Sequence, residues 1–528
     1  MKTIGQLADL LTDAVVIGNR DTVITGIEHD SRKVQKGTLF VCIPGVHVDG
    51  HKFIPQAVAA GASAIVTTRE DVEVPEGIAV LRVKELQPAL DTIVPYFHDY
   101  PARKMRVVGI TGTNGKTTTS YITRTILRKA GYKVGLIGTI QIMIEDEVLP
   151  IHNTTPDVVE LQHTLAMMRD KGMDYVVMEV SSHALDQNRV AGIEFDTAVF
   201  TNLTQDHLDY HKTLENYMLA KAKLFDHVSE PGCKQGKTAV VNIDDAAGAT
   251  MLAHAKCQHL TYAIEKEADL RATDILVHAN GAEFVLHHES FGEMALKLHI
   301  TGIFNVYNVM SAVGAALAEH IDAAVIKEAL EAFTAVPGRF ELVKAGQDFS
   351  IIVDYAHTPD GLKNILSTVC GFADGRVIAL FGCGGDRDRT KRPRMGRIAA
   401  ALSDFVVLTS DNPRTEDPYT ILRDVLPAIL ESRTPFAVIE NRREAIGFAL
   451  REAKARDVVV LCGKGHETYQ EIGTIKYHLD EREVVRERFA QVQRKDAADA
   501  AKENEHEDHH CLHTELRGLR DHGKISGP

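Results

Sequence analysis

The chain has 528 residues, of which 44% are hydrophobic and 25% charged, and its formal net charge is −14. That length exceeds what one hydrophobic core supports and predicts three or four domains. The acidic balance argues against nucleic acid as a partner. Residues 1–11 show no basic segment ahead of an apolar run, and no stretch of about 18 apolar residues occurs, so neither a secretion signal nor a transmembrane segment is expected. Seven cysteines are scattered without a CxxC pair. That pattern suits reduced thiols in a cytoplasmic protein better than a disulfide framework.

In chain order, residues 1–99 predict strands at 38–43 and 64–68 around a helix at 53–60, with Pro95 and Pro101 bracketing the exit. From 100 to 336 the strand–helix alternation resumes with longer elements. Residues 107–120 read V-V-G-I-T-G-T-N-G-K-T-T-T-S: a β-branched strand, a glycine-rich turn, then a helix through 121–130. This order suits a nucleotide phosphate. Glycines let backbone N–H groups approach the oxygens, the helix N-terminus adds a positive dipole end, Lys116 a mobile charge and Thr117 a Mg²⁺ ligand. Ile110 stands where the usual phosphate-loop pattern has a glycine. Strands at 175–179 and 197–200 end in polar clusters. Pro337-Gly338 marks the next boundary, and strands at 350–353, 376–381, 405–408 and 458–461 form a third α/β unit. Buried parallel strands alternating with helices imply doubly wound sheets, with ligand crevices beyond the strand C-termini. Residues 491–528 are charged and His-rich, and read as a disordered extension. His506, His509, His510, Cys511 and His513 there lack an apolar frame to fix a metal.

Several strand exits carry chemistry. Glu179, one strand from the phosphate loop, suits a phosphate-bound Mg²⁺. His207 follows the next strand and, read alone, is a capping or core residue. Lys221 lies on a helix whose apolar side faces inward and, read alone, is a surface lysine. Asp354 and His357, in D-Y-A-H-T-P, suit ribose or nucleotide positioning, or else Asp or Thr caps the helix that follows. The exits G-C-G-G-D-R-D-R, D-N-P-R and G-K-G-H-E carry both signs of charge, which suggests a pocket for a zwitterionic amino acid.

Taken together, the motifs from D-S-R at 30–32 through T-G-T-N-G-K-T-T, N-T-T-P at 153–156, E-V-S-S-H-A-L, F-T-N-L-x-x-D-H-L-D-Y-H, D-Y-A-H-T-P, G-G-D-R-D, D-N-P-R and G-K-G-H-E resemble the Mur ligases. These are the ATP-dependent amino-acid ligases of peptidoglycan precursor synthesis. The resemblance covers about residues 1–490 and is to the members that add the third peptide residue. In that family the loop is itself T-G-T-N-G-K-T, which accounts for Ile110.

The resemblance implies an α/β fold of three domains. They are a UDP-binding domain at 1–99, an ATP-binding domain at 100–336 with a P-loop-type doubly wound parallel sheet, and a Rossmann-like amino-acid-binding domain at 337–490. It implies that Thr111, Gly112, Thr113, Asn114, Gly115, Lys116 and Thr117 bind the ATP phosphates, with Asn305, Arg339, Asp354 and His357 on the adenosine side. Thr117, Glu179, His207 and Lys221 would serve Mg²⁺, Lys221 as a CO₂-derived carbamate (N6-carboxylysine). Ser31, with 46–48, would face the uridine diphosphate. Thr154, Thr155, Ser182, Gln187 and Arg189 would hold the muramoyl dipeptide. Arg387, Asp411, Asn412, Pro413, Arg414, Gly463 and Glu467 would hold the incoming amino acid.

The implied reaction passes through an acyl phosphate on the D-glutamate γ-carboxylate of UDP-N-acetylmuramoyl-L-Ala-D-Glu. Candidates for the acceptor are meso-diaminopimelate and L-lysine. Arg414 can grip the extra carboxylate of the former and would repel a bare ammonium, so diaminopimelate is favoured. The rivals are the lysine-adding ligase, folylpolyglutamate synthase, which usually lacks a UDP-binding first domain, and a nucleotide-binding regulator without catalysis. A monomer is expected.

Overall fold

The computed structural model describes residues 1–44, 49–151, 153–278 and 281–490. The tail from 491, its histidines, and Val46–Val48 lie outside the described residues. The chain forms two compact units, one spanning Met1–Val336 and the other beginning at Pro337.

The first unit opens with a five-stranded sheet. Gly26–Glu28, Thr38–Val41, Ala64–Thr67 and Ala79–Arg82 run parallel, and Val15–Ile17 closes one edge antiparallel to Ala79–Arg82. Every residue of Thr38–Val41 and Ala64–Thr67 is buried. Strands covered on both faces read as unbroken apolar runs, which is why they were legible in the sequence. The helix between them is Ile54–Ala59, entered through a 3₁₀ turn at Gly50–Phe53.

A second sheet has eleven strands among the described residues. Its parallel centre places Tyr175–Glu179 and Thr197–Phe200 on either side of Arg106–Thr111. Strand alternation sends Val108 and Ile110 to one face and Val107 to the other. Ile122 and Ile126 of the helix Lys116–Lys129, with Val309 and Val313 of Ile303–Ala318, pack on the first face. Leu161 and Leu165 of Val158–Asp170, with Leu224 and Phe225 of Leu214–Ser229, pack on the second. The sheet is therefore doubly wound. One end is an antiparallel meander, Leu270–His278, Gly281–His288 and Gly292–Leu298, which the sequence reading did not foresee. Its strands alternate buried and open positions, so they lack the continuous apolar signal of the parallel strands.

The second unit carries five parallel strands in the order Ser350–Asp354, Val458–Cys462, Val377–Phe381, Phe405–Leu408 and Phe436–Val438, with Glu341–Leu342 antiparallel at the edge. Ile352, Ala379 and Val460 face one core, and Ile351, Ile378 and Val459 the other. A separate hairpin, Tyr469–Ile472 with Ile475–His478, follows the last parallel strand. No helix among the described residues is long and apolar enough to cross a membrane.

Candidate active site

The strand Arg106–Thr111 hands over to the helix Lys116–Lys129 through the glycine-rich loop. Gly115 sits at the helix N-cap with φ +88° and supplies no side-chain cap, so the helix start is left to accept an outside anion. A Cβ on Gly115 would lie 2.3 Å from Asn308 Oδ1, and one on Gly112, at φ +151°, would lie 1.9 Å from Thr201 Oγ1. Only glycine fits at either position. The loop is fastened from the next strand exit. Thr113 N donates to Asn202 O at 2.8 Å, Asn114 N to Asn202 Oδ1 at 3.0 Å, and Thr201 Oγ1 to Asn114 O at 2.6 Å. Thr111 Oγ1 is buried without a hydrogen-bond partner. Asn305 donates to Thr301 O at 2.8 Å and accepts from Asn308 Nδ2 at 3.0 Å, so its helix meets the loop through Asn308.

Glu179 pairs in register with Ile110, directly beside the loop. Its carboxylate is buried and accepts from Thr139 N at 2.9 Å, Thr139 Oγ1 at 2.8 Å and Thr117 Oγ1 at 3.1 Å. A hydroxyl and a carboxylate this close are both hard oxygen donors and fit Mg²⁺. No three His, Cys, Asp or Glu side chains among the described residues converge as a ligand set.

Lys221 corrects the reading of its helix alone. It is buried at 1% exposure, donates to Gly112 O at 2.8 Å and lies 4.4 Å over the Tyr217 ring. Burial, reinforced by the charge of Lys116, pushes its ammonium well below its ordinary pKa. Lys116 Nζ donates to Gly112 O and Thr113 O, both at 2.8 Å. His207 is the N-cap residue of a short helix, Leu208–His211, at φ +55°. It stacks edge-on against His183 at 4.8 Å. Burial takes His207 down to about 3 against the pull of Asp206, and the positive charges of His183, Lys221 and Lys116 act in the same direction as burial. The imidazole is neutral at pH 7 and able to act as a ligand.

Of the residues expected to hold the muramoyl dipeptide, Thr154, Thr155, Gln187 and Arg189 are joined by hydrogen bonds through Thr139 and Glu179, and Ser182 is held separately by His211. Thr154 Oγ1 meets Thr139 Oγ1 at 3.0 Å, and Thr155 Oγ1 donates to Glu179 O at 2.9 Å. Arg189 donates to Thr155 O at 3.0 Å and through Nη2 to Gln187 Oε1 at 2.7 Å. Gln187 Nε2 reaches Tyr210 OH at 3.2 Å. Ser182 Oγ pairs with His211 Nε2 at 2.9 Å. Ser31, in the N-terminal sheet region, is buried and donates to Gln56 Oε1 at 3.1 Å.

In the second unit, Asp354 accepts from Phe340 N and Ala356 N, each at 2.7 Å, and burial raises its pKa. Arg339 lies 4.4 Å over the Tyr355 ring, and His357 Nδ1 meets Tyr355 O at 2.7 Å. Thr358, rather than Asp354, caps the helix Pro359–Cys370.

The exits of Phe405–Leu408 and Val458–Cys462 converge. Asn412 Nδ2 donates to Glu467 Oε2 at 3.0 Å, and the buried Lys464 donates to Asn412 Oδ1 at 2.7 Å and Glu467 Oε2 at 2.5 Å. Burial alone would raise the Asp411 carboxyl, but the charges of Lys464 and Arg442 outweigh it and hold it below its usual value. Asp411 Oδ2 is buried without a hydrogen-bond partner and faces Gly463. Pro413 is buried, Arg414 Nη1 donates to Gly385 O at 2.9 Å, and Arg387 is exposed beside Asp386.

Sequence reading did not single out Asn202, Asn308, Lys464 or Arg442. Asn202 lies inside F-T-N-L-x-x-D-H-L-D-Y-H and Lys464 inside G-K-G-H-E, and both were visible there. Asn308 and Arg442 act on residues far away in the chain and left no local signal.

Comparison with known proteins identifies the family of the chain. Family models match as the Mur ligase family catalytic domain over residues 23–103, the Mur ligase middle domain over 110–316 and the Mur ligase glutamate ligase domain over 338–465. A Clostridium botulinum UDP-N-acetylmuramoyl-L-alanyl-D-glutamate–2,6-diaminopimelate ligase is 46% identical over 473 residues, 89% of this chain and 96% of its own. A Bacillus velezensis protein of the same name is 46% identical over 497 residues, 94% of this chain and all of its own. A solved ligase structure of that name is 32% identical, covers 93% of this chain and 99% of its own, and superposes with a TM-score of 0.63. The loop, the Glu179 carboxylate and the charged strand exits thus stand in a chain that belongs to the Mur ligase family.

Proposed function

We propose that this chain is the ATP-dependent ligase that adds meso-diaminopimelate to the D-glutamate γ-carboxylate of UDP-N-acetylmuramoyl-L-Ala-D-Glu. The observation that carries the reading is an uncapped phosphate loop in one unit together with an arginine-bearing zwitterion site, Asp411 to Arg414 with Glu467, in the other. The N-terminal sheet that precedes the loop weighs against folylpolyglutamate synthase. Division into domains at 99/100 and 336/337 follows the two chain boundaries read above, and the working form is a monomer.

A carboxylate oxygen attacks the γ-phosphorus, ADP leaves, and an acyl phosphate forms. The acceptor amine then attacks the acyl carbon, loses a proton and expels phosphate, leaving an amide. Lys116 and the loop N–H groups neutralise the transferring phosphoryl group. Mg²⁺ held through Thr117 and Glu179, with His207 near, would supply further positive charge to the phosphate oxygens. Asn305 in the first unit, and Arg339, Asp354 and His357 in the second, are each assigned to ATP. Ser31 faces the uridine diphosphate, and Thr154, Thr155, Ser182, Gln187 and Arg189 hold the dipeptide. Lys221 is a buried amine beside Lys116. Its addition to CO₂, with release of a proton, gives a carbamate whose negative charge would offset those of Lys116 and Mg²⁺, and an acid-labile mass increment of one CO₂ on its peptide tests this.

The experiment for the function is phosphate release from ATP with UDP-muramoyl dipeptide, run with diaminopimelate and with L-lysine. Release with diaminopimelate alone is expected. Release with lysine alone would reassign the acceptor, and release with neither would overturn the ligase reading.

A further inference from the structure

The hairpin Tyr469–Ile472 and Ile475–His478 is sewn onto the segment from Asp411 to Arg414. Gln470 Nε2 donates to Asp411 O at 2.6 Å, and Glu471 N to Asn412 Oδ1 at 2.9 Å. Arg414 N donates to Glu471 O at 3.1 Å, and Gly473 N to Arg414 O at 2.7 Å. Arg414 itself has φ +50°, in the left-handed region that side-chain-bearing residues rarely occupy. Such a conformation persists where the surroundings over-determine it, and the hairpin supplies that constraint on both sides of the residue.

The same hairpin fixes the side chain. Arg414 Nε donates to Glu471 Oε2 at 3.1 Å, while Arg414 Nη1 donates to Gly385 O at 2.9 Å. Two anchors on different nitrogens fix the plane of the guanidinium. With Nε committed to Glu471 and one hydrogen of Nη1 to Gly385 O, the edge left for a carboxylate is the terminal one, Nη2 with the second hydrogen of Nη1. The pair also masks Glu471. Unpaired, its carboxylate would attract the ammonium of a competing lysine.

We propose that Glu471 is the positioning residue for acceptor specificity: it aims the terminal edge of Arg414 at the far carboxylate of the incoming amino acid and is kept from lysine by the same contact. This rests on the ligase reading above and extends it to a residue and a hairpin outside the D-N-P-R and G-K-G-H-E motifs.

The test is steady-state kinetics of the full chain and of Glu471→Ala, Glu471→Gln, Arg414→Ala and the Arg414→Ala/Glu471→Ala double variant, with diaminopimelate and with L-lysine. Glu471→Ala should raise KM for diaminopimelate about tenfold, with kcat and the KM values for ATP and UDP-muramoyl dipeptide within about twofold. Glu471→Gln keeps an oxygen for Arg414 Nε and should recover part of the loss. Arg414→Ala should gain lysine use, and the double variant should lose that gain. An unchanged KM for diaminopimelate in Glu471→Ala, or equal rises in all three KM values, would overturn the proposal while leaving the ligase reading in place. Wild-type protein inactive with both amino acids would overturn both.

Discussion

Lys116 and Lys221 donate to one carbonyl oxygen, Gly112 O, each at 2.8 Å. Two amines converging on a single acceptor inside the phosphate loop leave Lys221, the buried one, as the group whose charge is disfavoured. Replacing it with an apolar side chain of similar length removes a desolvation cost and gives up one hydrogen bond to Gly112 O, an acceptor that Lys116 still satisfies. Lys221→Met should therefore unfold in urea at or above the wild-type midpoint, while phosphate release falls about a hundredfold or more. A loss of stability equal to the loss of activity would mean that Lys221 is structural.

Gly115→Ala should bind and turn over ATP poorly in a folded protein. The new Cβ meets Asn308 Oδ1 at 2.3 Å with the backbone at φ +88°. The loop has to shift, and a positional error of about 1 Å in a phosphate cradle costs on the order of a hundredfold in rate. Circular dichroism paired with ATP turnover checks this, and normal turnover would contradict it.

Arg414→Ala should raise KM for diaminopimelate by about a hundredfold, the range of a lost charged, hydrogen-bonded contact, and leave KM for ATP unaltered. Measuring both constants on one preparation separates specificity from folding. An unaltered diaminopimelate KM would refute the acceptor assignment.

His466 links stability to pH. Burial, with the charge of Arg339 added, takes its pKa to about 3 from an ordinary 6.5, and its Nδ1 is buried without a hydrogen-bond partner. A depressed native pKa means that the unfolded chain binds the extra proton first. The contribution of His466 is thus fully present above pH 6.5 and declines as pH falls toward 3, by at most about 1.4 kcal/mol per pH unit. Urea titrations of wild type and His466→Phe at pH 7, 6 and 5 should show a shallower acid loss in the variant, and parallel curves would count against this role.

Arg442 and Glu481 form a fully buried pair, with Nε and Nη2 of Arg442 at 2.9 and 2.8 Å from Glu481 Oε1. Arg442 Nη2 also donates to Cys462 O at 2.7 Å and so braces the strand exit that leads to Gly463. Glu481→Ala leaves a buried cation without its partner and should destabilise the second unit by about 3 kcal/mol or more. The double change Arg442→Met/Glu481→Leu should recover most of that loss in denaturant unfolding. No recovery would mean that the bond to Cys462 O, not the ion pair, is what matters.

Much of the site was legible because its motifs are local. A strand, a tight turn and a helix at 106–129 follow from β-branched residues, glycines and an amphipathic run in immediate succession. The parallel strands announced themselves as short apolar runs buried on both faces, and their polar exits marked the crevice. The antiparallel meander at 270–298 and the hairpin at 469–478 were not legible, since half-open strands carry no such run.

The sequence by itself determined which residue types stand at each strand exit: the T-G-T-N-G-K-T loop, Glu179, D-N-P-R and G-K-G-H-E. The electrostatic state of those residues was decided only by the tertiary structure. Lys221 reads as a surface lysine until a carbonyl 109 residues away closes over it. Arg414 reads as a ready fork until Glu471, 57 residues on, takes one of its nitrogens. Backbone preference is set by near neighbours along the chain. Desolvation and charge pairing depend on groups that only folding brings together.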